Sequence, residues 1–234
     1  MAKFPADVQV ELAKSGLTLS SDESGLMLRG DGMELRCDLT HMVPRISPRH
    51  LSHELLIKAA RIKGATGPLK AVDATAGLGE DSLLLAAAGF DVRLYEDNPV
   101  IEALLADVLI RSKEVPELAA AVGRMHAMKV DSLLALPQLK VAPDLIYLDP
   151  MFPARTKSAA VKKKFQLLHH LERPCTDAKE LLHAALSAHP HKIVVKRPLK
   201  GPYLAQLRPN YSLKGSSIRF DVIIPMSSRC KACR

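Results

Sequence analysis

The 234-residue chain contains no apolar run close to the roughly 20 residues needed to cross a bilayer, which excludes an integral helical membrane protein. Its first residues, Met1-Ala2-Lys3-Phe4-Pro5-Ala6-Asp7, have no apolar core of the signal-peptide kind, so the expected location is the cytoplasm. Cysteine is scarce: Cys37, Cys175, Cys230 and Cys233 are too scattered for a disulfide framework. Cys230 and Cys233 form a C-x-x-C, half of a zinc site at most, since a tetrahedral site needs four ligands. The expectation is free thiols on a tail and no bound metal. Repeats and low-complexity segments are absent as well. A hydrophobic fraction of 47% excludes a disordered chain. The net charge of +8 and pI near 9.4 favour a polyanionic partner, of which nucleic acid is the commonest.

Three levels of organisation are expected. Residues 1–64 read as an N-terminal extension, 65–226 as one α/β domain and 227–234 as a flexible tail. Within 8–43, near-alternating apolar residues broken by Gly16, Gly25, Asp31 and Gly32 predict a few short strands. Two prolines make 44–49 a linker, and apolar spacing predicts a helix over 50–63, ended by Gly64. From Leu69 onward strands and helices alternate, as a parallel sheet with crossover helices requires. Strands are expected at 70–73, 91–96, 124–130, 144–148 and 192–196, and helices at 80–88, 99–113 and 176–188. Segments 211–213 and 218–224 flank Lys214-Gly215-Ser216-Ser217 as a closing hairpin.

The first strand runs into Asp73-Ala74-Thr75-Ala76-Gly77-Leu78-Gly79-Glu80-Asp81-Ser82. Glycines here let the backbone turn sharply and approach a ligand. In open α/β sheets ligands lie at the carboxyl ends of the strands, beside this loop. The loop is not a P-loop, since Gly-Lys-Ser/Thr is missing. Ser82 also fills the third glycine position of the dinucleotide fingerprint. Asp73, Glu80 and Asp81 would repel a pyrophosphate but favour the sulfonium and ammonium of S-adenosyl-L-methionine. Glu96 closes the second strand, about 20 residues on, where an acid accepts hydrogen bonds from ribose hydroxyls. Asp97 either reaches the adenine side or caps the next helix. Asp131-Ser132 follows the third strand, and either contacts adenine or forms a helix N-cap.

Leu148-Asp149-Pro150-Met151-Phe152-Pro153 ends the fourth strand. It resembles the D-P-P-Y/F loop of methyltransferases that modify exocyclic amino groups. Such a nitrogen is a poor nucleophile, because its lone pair is delocalised into the base. The Asp149 carboxylate and a prolyl carbonyl can accept its two hydrogens and return the lone pair to nitrogen. Pro150 stiffens the loop before substrate arrives, and Phe152 can stack on an extruded base. Arg155, Lys157, Lys162, Lys163 and Lys164 follow directly and are candidates for RNA phosphates. Lys196-Arg197-Pro198, at the end of the fifth strand, either meets RNA or only ends the strand. His169 and His170 read as structural.

Taken together, several motifs resemble the RsmJ family of bacterial 16S ribosomal RNA (guanine-N2)-methyltransferases. They are D-A-T-A-G-L-G-x-D at 73–81, Glu96-x-Asn98-Pro99, the Asp149 loop, Lys157-Ser158-Ala159-Ala160-Val161-Lys162-Lys163, Val194-Val195-Lys196-Arg197-Pro198 and Arg219-Phe220-Asp221. The resemblance covers roughly residues 40–224. It implies a Rossmann-like methyltransferase sheet with helices on both faces and S-adenosyl-L-methionine as methyl donor. It also implies a guanine near the 3′ end of 16S ribosomal RNA, free or in the 30S subunit, as acceptor. Cofactor contacts would fall at Glu80-Asp81, Glu96-Asp97, Asp131-Ser132 and Asp149. The family commonly carries arginine where this chain has Glu80 and Asp97. It also commonly has a glycine-rich basic run where this chain has Pro48-Arg49-His50-Leu51-Ser52-His53. Two other readings compete: methylation of another nucleic-acid amino group such as adenine N6, and a basic ribosome-assembly protein without catalysis. An NAD-dependent oxidoreductase is a remote third.

Overall fold

The computed structural model describes residues 4–65, 67–150, 167–168, 170–171 and 178–225. Its centre is a seven-stranded sheet in the order β6-β5-β4-β7-β8-β10-β9. The strands are β4 (Leu69–Asp73), β5 (Phe90–Glu96), β6 (Met125–Lys129), β7 (Leu145–Leu148), β8 (Lys192–Pro198), β9 (Tyr211–Lys214) and β10 (Ile218–Ile223). β6, β5, β4, β7 and β8 pair in parallel, and β10 lies antiparallel between β8 and β9. All four residues of β7 are buried, as are the first four of β8. Such continuous buried runs, apolar apart from Lys192, belong to parallel strands covered on both faces.

The covering helices form two layers. Helices α4 (Leu55–Ala60), α5 (Glu80–Ala87), α6 (Pro99–Ser112) and α7 (Pro116–Val122) contribute Leu56, Leu84, Leu104 and Leu118 to one core cluster, with β-strand residues Val92 and Val194. α8 (Ser132–Ala135) and α9 (Ala178–Ser187) lie over a second cluster, built on Val72, Ile146, Leu148, Ile193 and Val195. Asn98 starts α6: its side-chain oxygen accepts from the backbone N–H of Val100 and Ile101, while Pro99 takes the first helical position. The chain steps outward from β4 to β5 and β6, then returns to β7 on the other side of β4. That reversal opens a crevice at the carboxyl ends of β4 and β7.

The N-terminal segment differs from expectation in three places. Residues Ala6–Ser15 form a helix, α1, where short strands were expected from residue 8 onward. Val8 and Leu12, one helical turn apart, pack into the core, and Gly16 at φ 69° ends the helix in the left-handed conformation. The three strands that follow, β1 (Thr18–Asp22), β2 (Gly25–Gly30) and β3 (Met33–Leu35), are the expected short strands, and they pair as a small antiparallel sheet. The supposed linker at 44–49 lies in two short helices, α2 (Val43–Ile46) and α3 (Pro48–Leu51), each with its proline in the first turn, where proline costs no hydrogen bond. The helix expected over 50–63 shortens to α4. The Lys192 ammonium donates to the carbonyls of Ala59 (3.0 Å) and Arg61, holding the end of α4 on the sheet. Helix α7 had no counterpart in the sequence reading.

This segment is tied to the larger sheet by polar contacts as well as apolar ones. Arg111 on α6 donates to the Cys37 carbonyl at 2.7 Å, Asn98 reaches Glu11 at 3.3 Å, and Lys129 pairs with Asp7. The proposed tail with Cys230 and Cys233, together with Cys175, lies outside the described residues.

Candidate active site

Asp73 ends β4 and organises the loop after it. Its Oδ2 accepts from the Ser82 hydroxyl at 2.6 Å and its Oδ1 from the Thr75 N–H at 3.0 Å, with 1% of the residue exposed. Burial pushes its carboxyl up to about 7, against the lowering effect of those two hydrogen bonds. In the unfolded chain Asp73 ionises at ordinary carboxylate pH, so the folding penalty grows as pH rises from that value to about 7 and is constant above it. Asp73→Asn is therefore expected to gain stability over wild type at mildly alkaline pH. The gain should shrink toward mildly acidic pH, as thermal melts of both proteins at the two extremes would read. An equal difference at both pH values would refute the assignment.

Gly77 and Gly79 take φ of 51° and 79°. At Gly79 a Cβ would come within 2.9 Å of Leu105 Cδ1, so packing as well as conformation requires glycine. At Gly77 a Cβ would meet no atom of the described residues within 4 Å. Glu96, at the end of β5, accepts from the Gly77 N–H through Oε2 and from the Asn98 N–H through Oε1, both at 3.0 Å. Ser132 donates to the Ala74 carbonyl at 2.6 Å, joining the start of α8 to the glycine loop. Asp131 caps α8 by accepting from the Leu133 N–H at 2.8 Å. Asp97 is exposed one residue past β5.

Asp149 stands across the crevice, at the end of β7. Its N–H donates to the Thr75 hydroxyl at 2.7 Å, which couples the two loops. Its Oδ2 lies 2.9 Å from the Lys196 ammonium, and the same nitrogen lies 2.7 Å from Asp81 Oδ2. The buried Tyr147 hydroxyl donates to that Asp81 oxygen at 2.6 Å. Burial raises the Asp149 carboxyl above the usual carboxylate range, and Lys196 opposes the shift. Burial alone would lower the Lys196 ammonium, but Asp81 and Asp149 together hold it above its ordinary value. A cleft of about 530 Å³ opens beside this cluster; Arg45, His50, His53, Asp81 and Lys196 are among its lining.

The structure thus gathers Asp73, Gly77, Gly79, Asp81, Glu96, Asp131, Ser132, Asp149 and Pro150 along one edge of the sheet. Glu80 lines the same cleft and pairs with His41 of the N-terminal segment at 3.2 Å. Phe152, Arg155, Lys157, Lys162, Lys163 and Lys164 lie outside the described residues. Tyr147 and Thr75 had not been singled out as site residues, and Lys196 had been weighed only as an RNA contact or a strand end, not as a partner of Asp81 and Asp149. The one available signal was Lys196 itself, a cation after three apolar strand residues, one position beyond the pairing of Leu148 with Val195.

The glycine loop fits S-adenosylmethionine in three respects. No atom of the described residues crowds the Cβ position of Gly77, the Glu96 carboxylate stands at the loop, and the loop residues 73–82 contain no basic side chain. A phosphate-bearing cofactor would lack a counter-charge there, whereas a sulfonium would not.

A family model for SAM-dependent methyltransferases matches residues 8–225. A ribosomal RNA small subunit methyltransferase J from Pseudomonas savastanoi pv. phaseolicola is 36% identical over 227 residues, 94% of this chain and 84% of that protein. The protein of the same name from Nitrosococcus oceani is 42% identical over 171 residues, 72% of this chain and 67% of its own length. Among solved structures, a SAM-dependent methyltransferase from Neisseria gonorrhoeae superposes with a TM-score of 0.74 at 28% identity, covering 98% of this chain and 96% of that one.

Proposed function

Because the chain belongs to the ribosomal RNA small subunit methyltransferase J family, a family of S-adenosylmethionine-dependent methyltransferases, we propose that it methylates the exocyclic N2 amino group of a guanine in 16S ribosomal RNA. The acceptor is the RNA itself or the 30S subunit that contains it, and the work is done in the cytoplasm. Among the described residues no helix is long and apolar enough to cross a membrane. The observation that carries the reading is the Asp149 carboxylate, fixed 2.9 Å from Lys196 and joined through its own N–H to the glycine loop.

When bound, S-adenosylmethionine supplies an electrophilic methyl group on a sulfonium. Glu96 accepts hydrogen bonds from its ribose, and Gly77 and Gly79 let the backbone come close. Across the crevice Asp149 accepts one N–H of the amino group, and the Pro150 carbonyl accepts the other. The nitrogen lone pair is then free for in-line attack, and the surplus proton leaves to Asp149 or to water. Pro150 is buried, so these acceptors are ordered before substrate arrives. The cations at 155–164 and the net charge of +8 supply phosphate contacts that position the RNA without reading its bases.

The test is to incubate the protein with methyl-labelled cofactor and unmodified 30S particles, with naked 16S RNA and large subunits alongside. N2-methylguanosine from small-subunit RNA is expected. Label in N6-methyladenosine or in the large subunit would overturn the acceptor, and no label in any RNA would overturn the activity. Glu96→Ala is expected to weaken cofactor binding by roughly 10- to 100-fold, the value of one charged hydrogen bond at about 1.5–3 kcal/mol. Equilibrium dialysis with labelled cofactor would check it.

A further inference from the structure

We propose that Lys196 is a positioning residue for methyl transfer: seated on Asp81, it holds Asp149 by Oδ2 and leaves Oδ1 to face the amino group. The proposal rests on the reading of Asp149 as the acceptor of that group's N–H. Four residues from three elements, β7 and its end, α5 and β8, form one chain of contacts. The Tyr147 hydroxyl of β7 donates to Asp81 Oδ2 of α5 at 2.6 Å, Lys196 of β8 donates to the same oxygen at 2.7 Å, and Lys196 meets Asp149 at 2.9 Å. The side chains of Asp81 and Lys196 are 19% and 26% exposed, so water competes weakly for the contact between them.

A lone carboxylate at the end of a strand can turn about its side-chain torsions and present either oxygen. Pinned by one oxygen, it offers the other in a single direction, as an acceptor aimed at an N–H must. Asp81 gives Lys196 a second anion, so the ammonium stays in place when Asp149 turns to the substrate. Asp81 in turn is held by Tyr147, whose own side chain is fully buried. The arrangement does not need Lys196 to touch RNA.

The charged and titratable groups around Asp149 set the sign of the pH effect. They are Lys196 and Arg197 on β8, which lower its pKa, Asp81 on α5, which raises it, and Asp73 and the Tyr147 phenol on β4 and β7. Without Lys196, burial and Asp81 would both raise the carboxyl, and the principal opposing cation would be gone. The acidic limb of the rate profile should then move to higher pH.

The experiment follows kcat and KM against pH for full-length wild type, Lys196→Met, Lys196→Gln and Lys196→Arg, with 30S particles and labelled cofactor. The neutral variants are expected to lose up to about a hundredfold in kcat, with KM for RNA and cofactor affinity near wild type and the acidic limb raised. Arginine, which restores the cation, should return most of the rate and bring the limb back. If Lys196→Met fails to fold, the comparison of glutamine with arginine reads the same quantity. An unmoved limb with wild-type kcat overturns the proposal. So does a loss confined to KM for RNA, which would make Lys196 a phosphate contact. Asp149→Ala runs in parallel: full activity there removes the underlying reading, whereas an inactive Asp149→Ala beside a wild-type Lys196→Met removes only the proposal about Lys196.

Discussion

Asp149→Ala is expected to lower kcat for methyl transfer by roughly 10²–10⁴-fold, the span observed when a positioned acid–base group is lost. Fold stability should change little. The Asp149 side chain is 38% exposed, and its removal leaves Lys196 still paired with Asp81 at 2.7 Å and Tyr147 still bound to the same carboxylate. Affinity for RNA should also stay near wild type, because it comes mainly from phosphate contacts that a single carboxylate does not make. The signature is therefore a collapse of kcat with KM for RNA preserved. Asp149→Asn keeps the shape but presents an amide, whose NH2 can face the acceptor's own N–H groups; it should be nearly as inactive. Wild-type kcat in the alanine variant would mean that the amino group is activated by something else. The wild-type rate should fall on acidification at a pH above the ordinary carboxylate range, since burial raises Asp149 more than Lys196 lowers it.

Which parts of this site could be read from the sequence follows from how far apart the cooperating residues lie. The glycine loop is local: Gly77 and Gly79 are demanded by left-handed backbone within the segment that shows the motif. Glu96 is set by the length of one strand-helix-strand unit, so its place at the loop was also legible. The Asp149 loop was legible because proline and the acid are adjacent in the chain. The pairing of Lys196 with Asp81 was not, because Asp81 lies 115 positions earlier and the two meet only through the order of strands in the sheet. The same holds for Glu80, which shared the loop's acidic pattern but is drawn to His41 of the N-terminal segment. In α1 only Val8 is buried outright, and its packing against α6 decides the helix more than its own weak periodicity does. The prolines at 44 and 48 were read as breakers, though each sits in a first helical turn where the ring is tolerated.

The largest effect on stability is expected at Arg219, the residue that fastens the loop after β8. Its guanidinium grips Asp221 on the same strand with two parallel bonds of 2.8 and 3.0 Å, while its third nitrogen donates to the carbonyls of Pro198, Leu199 and Gly201 at 2.8–2.9 Å. The Tyr203 ring lies 5.0 Å from the guanidinium carbon, within reach of a cation–π contact. Both charges are almost wholly buried, at 4% and 3% exposure. Arg219→Met would leave Asp221 with the Ser212 hydroxyl as its remaining side-chain partner among the described residues. An uncompensated buried charge of this kind costs about 3–5 kcal/mol, which for a chain of this size lowers Tm by roughly 6–20 °C. Removing the stranded charge as well separates the causes. The double variant Arg219→Met, Asp221→Leu should regain most of the lost stability, because replacing a buried pair by apolar groups is often nearly neutral. It would not restore the donors to the loop carbonyls. If the loop that begins three residues past Lys196 must be held for the site to form, the double variant will be stable but slow. Urea denaturation and methyl-transfer assays on both variants would check this. A single variant within about 1 kcal/mol of wild type would show that the pair contributes little, as many exposed ion pairs do.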